Sequence, residues 1–140
     1  MKNKEYIETY KPFIAWLIGF PIINIMILKF IDVCEKISVL VSLFTMVVAL
    51  YVLMLIIYKG EYIYWINGGP SYEEAKTAGI EKRKQYAKVY LDLFRKMTLV
   101  CFMYGLVSLL FRFHIFIDII IISGAIIVTA FTTVPIKFEE

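Results

Sequence analysis

The sequence predicts an all-α membrane protein. It has four transmembrane helices, paired as two antiparallel hairpins, with a cytoplasmic amphipathic helix between spans two and three. Three observations predict this. Hydrophobic residues make up 61% of the 140 and charged ones only 19%, against roughly half and a quarter in an ordinary soluble domain. The apolar residues fall in long blocks rather than in a helix or strand period, and blocks of about 18 or more cross a bilayer. The polar residues gather instead in one long stretch, "YWINGGPSYEEAKTAGIEKRKQYAKVYLDLFRK", Tyr64 to Lys96. The whole chain, 1–140, reads as one integral membrane domain.

Span one, Pro12–Ile31, has 20 residues, enough for about 30 Å of hydrocarbon at 1.5 Å per residue. Pro12 suits a first turn, where the missing N–H has no partner to lose. The apolar core is longer than that of a secretory signal and lacks an Ala-x-Ala-like cleavage site, so the helix is expected to be retained. Gly19 and Pro21 predict a kink. Asn24, mid-span, is expected either to satisfy a carbonyl freed by that kink or to bond another helix. Spans two, three and four are Ile37–Tyr58, Met97–Phe113 and Ile115–Ile136. Backbone groups in lipid must be satisfied within the segment, so each is expected to be helical. The links between spans one and two, and three and four, are very short and impose the hairpins.

Basic residues set the orientation. With four spans, the N-terminus, the middle loop (59–96) and the C-terminus share a side. That side holds Lys2, Lys4, Lys11, Lys59, Lys76, Lys82, Arg83, Lys84, Lys88, Arg95, Lys96 and Lys137, and the other only Lys29, Lys36 and Arg112. The excess places both termini and the loop in the cytoplasm. Heavy use of isoleucine and lysine fits a bacterial chain, hence a multi-pass protein of the inner (cytoplasmic) membrane. Cys34 and Cys101 fall at opposite ends of the spans, too far apart for a disulfide.

The loop divides into three parts. Tyr62, Tyr64 and Trp65 are interfacial aromatics. Asn67, Gly68, Gly69 and Pro70 form a turn. Ser71, with Glu74 three residues on, forms a capping box that opens a short helix, and Gly79 ends or interrupts it. Beyond Ile80, Tyr86, Val89, Tyr90, Leu93, Phe94 and Met97 recur at helical spacing as one apolar face. Lys82, Arg83, Lys84 and Lys88 are expected on the polar face, where they would meet lipid head groups. This helix either lies on the membrane or packs beneath the bundle, and it runs into span three without a breaker. Positive-inside topology alone explains many of these lysines. The tip is more specific than an anchor requires, so Asn67, Gly68, Gly69, Ser71, Glu73 and Glu74 are the candidate partner-binding residues.

Near the far end of the spans, Arg112, His114 and Asp118 are expected to cluster over the hairpin between spans three and four. An ionisable residue at that depth is a candidate for function, although such a pair also serves as a self-neutralising cap. No spacing suggests a metal site, a phosphate-cradling loop or a catalytic triad. The expectation is therefore no cofactor, no metal, no nucleic acid and no enzymatic activity.

The outline Lys59–Gly60, then Ser71, Glu73, Glu74 and Lys76, resembles the loop of a family of small bacterial integral membrane proteins of unknown function. "INGGP" stands where that family has Gly-Tyr-Asn-Thr, and the likeness covers about a fifth of the chain. The resemblance implies a small integral membrane protein and lends no activity.

Three functions compete. In the first, the chain is an accessory, regulatory or immunity-type subunit that binds a partner through its loop. In the second, it is a small oligomeric transporter or channel with Asn24 and Asp118 along a path. In the third, it is a lipid-acting enzyme using Glu73, Glu74 or Lys76. Besides the bilayer, the expected partners are another membrane protein or further copies of the chain.

Overall fold

A computed structural model describes residues 6–30 and 34–138. Its described residues form helices, turns and irregular segments, without strands. The helices are α1 (Lys11–Phe30), α2 (Glu35–Gly60), α3 (Tyr72–Thr77), α4 (Gly79–Phe111) and α5 (Ile115–Thr133), with a single 3-10 turn at Ile63–Trp65. Four of them, α1, α2, α4 and α5, are long and apolar enough to cross a membrane. The expected end of span one at Ile31, and Lys2 and Lys4, lie outside the described residues.

The element bounds follow from local chemistry. Helix α1 continues through Pro21. Helix α5 stops at Thr133 rather than Ile136, because Pro135 has no N–H with which to continue the helical hydrogen bonding. Residues 79–96, the stretch expected to run into span three without a breaker, form one unbroken helix with it. Nothing between Ile80 and Lys96 is glycine or proline, and the segment is rich in good helix formers. Residues 59–60 likewise belong to the last turn of α2, so the irregular loop with its short helix is only 61–78.

Helix α2 is central: it packs against α1, α4 and α5, whereas α1 packs on α2 alone. One core, built on Leu40, Val47, Phe94, Met97, Cys101 and Ile122, joins α2, α4 and α5. A second, at the loop end, contains Ile57, Ile63, Ala75, Tyr86, Ala87 and Tyr90, with Tyr6 and Phe138 against it. The buried stripe of α4 runs through both cores: Arg83, Tyr86, Ala87, Tyr90, Phe94, Met97, Cys101, Gly105, Ser108. Gly105 permits a close approach of α4 to α2, since a Cβ there would stand 2.3 Å from the Phe44 ring. Outside the cores, large apolar side chains such as Phe30, Leu110, Phe116 and Phe131 are exposed. A surface of that kind is consistent with a multi-pass membrane protein. Cys34 is exposed and Cys101 buried, and both thiols are free.

Candidate functional site

The loop is organised by one side chain that sequence reasoning placed elsewhere. Arg83, expected on the basic face with Lys82, Lys84 and Lys88, is 5% exposed. It sits three residues before Tyr86 and seven before Tyr90, on the buried stripe, and helical spacing turns it inward. Its Nε and Nη2 each lie 2.8 Å from Glu61 Oε2, and Nη1 donates to the Ala75 carbonyl at 2.9 Å. The Tyr6 ring covers the guanidinium at 4.1 Å. Arg83 thus ties α4 to the end of α2, to α3 and to the segment before α1. The guanidinium fork suits several simultaneous bonds, as a lysine ammonium would not.

Glu61 is held in turn. It caps α2 in left-handed backbone, φ 60°, with its N–H donating to the Ile57 carbonyl. A non-glycine residue is uncommon in that region. The Arg83 ion pair and the Tyr6 hydroxyl, which donates to the Glu61 carbonyl at 2.7 Å, fix it there. Tyr72 donates to the Tyr6 carbonyl at 2.6 Å and its ring stacks on the Tyr6 ring. The Tyr64 hydroxyl accepts from Thr9 N–H and donates to the Thr9 carbonyl, both at 2.9 Å, and Trp65 Nε1 donates to the same carbonyl at 3.1 Å. Burial pushes the Tyr6 phenol well above its ordinary value, with the Arg83 guanidinium pulling the other way. Tyr6 therefore remains a donor at neutral pH.

The tip stands on this base. Gly69 N–H donates to the Ile66 carbonyl at 2.9 Å, closing the expected turn. Gly68 takes the positive φ of 76° that the turn requires. The capping box is present: Ser71 N–H donates to Glu74 Oε2 at 2.7 Å, and Glu74 N–H to Ser71 Oγ at 3.3 Å. The Ser71 N–H first, and the Ser71 hydroxyl second, favour the carboxylate and lower the Glu74 titration below its ordinary value. Gly79, φ 78°, separates α3 from α4. Asn67, Gly68, Ser71, Glu73 and Glu74 are exposed and Gly69 is half-buried, but Ser71 and Glu74 are occupied with each other. Lys82, Lys84 and Lys88 are exposed and make no ion pair among the described residues. The C-terminal segment lies between these two surfaces, its Phe138 edge-on to Tyr86 at 5.3 Å. On one side of it a cleft of about 340 Å³ is lined by Gly68, Gly69 and Glu74. On the other a cleft of about 330 Å³ is lined by Lys82, Gln85 and Val89. Val89, expected on the buried face, is 42% exposed there.

At the opposite end of the helices the expected Arg112–His114–Asp118 cluster does not form. Arg112 is the exposed, left-handed cap of α4, φ 53°. His114 caps α5, its Nδ1 accepting from Phe116 N–H at 3.3 Å. Asp118 is fully buried and faces other partners. Its Oδ1 accepts from Tyr104 at 2.8 Å and from Ser108 Oγ, and its Oδ2 lies 3.9 Å from Lys36 Nζ. Lys36 also donates to the Ser108 carbonyl at 3.0 Å and to that of Phe113. The ammonium thus sits at the negative C-terminal end of α4 and the carboxylate in the positive first turn of α5. Each charge meets both its counter-ion and a helix dipole. Asn24 takes the interhelical option, bonding Ser42 Oγ at 3.3 Å.

Among the described residues, no group of three or more histidine, cysteine, aspartate or glutamate side chains is placed to hold a metal ion. Comparison with known proteins finds no family model, curated protein or solved structure that matches the chain.

Proposed function

We propose that the chain is a small multi-pass membrane protein of the bacterial inner membrane. It acts as an accessory, regulatory or immunity-type subunit that docks a partner through its cytoplasmic loop. The helices would pair as two antiparallel hairpins, α1 with α2 and α4 with α5, and both termini would lie in the cytoplasm. The contacts of Trp16 with Ala49 and of Asn24 with Ser42 support the first pairing. Those of Tyr104 with Asp118 and of Tyr90 with Thr133 support the second. The distribution of lysine and arginine supports the orientation.

The observation that carries the docking reading is the base on which the loop stands. A buried ion pair joins the loop ends of α2 and α4 and, through the Ala75 carbonyl, fixes α3 and the tip before it. Such a pair is a poor route to stability but a good one to a fixed geometry. What that geometry presents is Asn67, Gly68 and Glu73 on one surface and Lys82, Lys84 and Lys88 on the next, with the positive portion of α4 as an amphipathic extension of span three. A photo-crosslinker at position 73, in cells at native abundance, should capture one distinct polypeptide. One at Val128, on the exposed apolar face of α5, should not. Capture of this chain alone from position 73, or of nothing, would reject the reading.

The second reading, a small oligomeric transporter or channel, rests on Asp118. Tyr104 and Ser108 hold its Oδ1, and Lys36 Nζ lies 3.9 Å from Oδ2, which has no hydrogen-bond partner among the described residues; the contacts to three helices favour a latch joining α2, α4 and α5 over a stop on a path. Under the transporter reading Asp118→Asn changes flux in proteoliposomes. Under the latch reading it changes stability only.

A further inference from the structure

Helices α1 and α2 leave an open apolar groove of about 490 Å³, lined by these two helices alone. Ala15, Trp16 and Gly19 line it from α1, and Val48, Ala49 and Val52 from α2. Trp16 is fixed in its wall, its Nε1 donating to the Ala49 carbonyl at 2.9 Å. The small side chains leave its floor open: a Cβ added at Gly19 would meet nothing within 4 Å. The volume falls in the range of ligand-sized pockets, about 300–1,000 Å³.

We propose that this groove holds one acyl chain of an anionic phospholipid from the leaflet on the loop side, with Lys11 and Lys59 receiving its phosphate. Three observations converge on that occupant. The first is length. Along α1 the lining runs from Pro12 to Ile23, about 16 Å at 1.5 Å per residue, which is half of a hydrocarbon core of about 30 Å. That length matches a chain from one leaflet; beyond Ile23 the apolar surface continues on α1 alone, in a cleft lined by Ile23, Met26, Ile27 and Phe30.

The second is charge. The α2 stripe of Val48, Val52 and Ile56 leads by helical spacing to Lys59, and the α1 stripe of Gly19 and Ala15 leads back to Lys11. Both lysines are exposed, and neither makes an ion pair among the described residues. The third is depth. Beside the same end stands the aromatic group of Tyr10, Tyr62 and Trp65, with Trp65 stacked on Tyr62 at 4.3 Å and 6.1 Å from Tyr10. Such residues settle at the headgroup level, where a phosphate above the groove would lie.

The chain's tryptophans number two, so Trp65→Phe leaves Trp16 as a single reporter inside the groove. The protein is reconstituted into vesicles doped with phosphatidylglycerol or with phosphatidylcholine, each brominated on the acyl chain, and Trp16 fluorescence is read. Quenching should reach half-maximum at a roughly five- to thirtyfold lower fraction of the anionic lipid, as two basic residues near an anionic surface give. Lys11→Gln with Lys59→Gln should erase that preference while leaving the residual quenching. Gly19→Leu should reduce quenching by both lipids. The double lysine variant leaves the apolar lining intact, so it remains a fair test if Gly19→Leu disturbs packing. Equal quenching by both headgroups overturns the proposal. So does quenching by neither lipid together with a disulfide formed between copies carrying Ile23→Cys, which would make the groove an interface between two chains.

Discussion

Arg83 shows how much one side chain can organise. Its guanidinium reaches Glu61, the Ala75 carbonyl and the Tyr6 ring at once, with both charged partners largely withdrawn from solvent. Removing one member of such a pair leaves the other unpaired, at a cost of about 3–5 kcal/mol. Arg83→Ala should therefore lower the thermal midpoint in detergent sharply, and Arg83→Lys should rescue little of it, because an ammonium cannot make the fork. Near-complete rescue by lysine would mean that charge alone matters.

Glu74 provides a pH test. Its titration is lowered in the folded chain by its bonds to Ser71. The capping contribution is thus present above the unfolded glutamate value and is lost as pH falls through the folded one. Carbon-13 titration of the Glu74 carboxyl should give a midpoint that rises in Ser71→Ala. An unchanged midpoint would show the cap to be idle. Short-range residue chemistry was legible in the sequence here: capping box, turn and helix break all lie within a few residues of one another. The partners of Arg83 were not, because Glu61 and Tyr6 are 22 and 77 positions away. The stripe that runs back from Tyr90 through Tyr86 nevertheless points to position 83.

At the scale of the elements, α2 and α4 meet over Gly105. An alanine Cβ there would overlap the Phe44 ring. Overpacking of this kind costs about 1–3 kcal/mol. Gly105→Ala should lower the thermal midpoint, and adding Phe44→Ala should make the combined loss less than the sum of the two. At the far end, Lys36→Met should destabilise by leaving Asp118 and two carbonyls without their cation, and Lys36→Met with Asp118→Asn should be milder than Lys36→Met alone. A double variant worse than the single would mean that Asp118 works without Lys36. The four apolar helices were legible from composition because lipid demands long uninterrupted blocks. The Lys36–Asp118 pairing was missed because Arg112 and His114 lie nearer to Asp118 in sequence. The turn after Phe111 directs Arg112 outward, and His114 is occupied with its own helix N-terminus.

For the whole molecule, orientation is the property most open to test. The two free cysteines differ in exposure, and the proposed topology puts Cys34 on the outer side. A membrane-impermeant maleimide added to intact spheroplasts should label Cys34 at once and Cys101 only after denaturation. Labelling of Cys34 only in inverted vesicles would reverse the orientation and move the loop outside the cytoplasm.

The length of α4 has a mechanical consequence. Thirty-three residues in one helix make a rod of about 50 Å, longer than the about 30 Å hydrocarbon layer it would cross. One end carries Arg83 and the exposed Lys82, Lys84 and Lys88, and the other carries Ser108 beside Asp118 and Lys36. Between Gly79 and Phe111 there is no proline and no break to act as a hinge. A push or twist at the loop end would therefore not be absorbed along the way. It would arrive at the other end of α4 as a displacement of the Ser108 carbonyl against Lys36, so the two ends of the rod would move together.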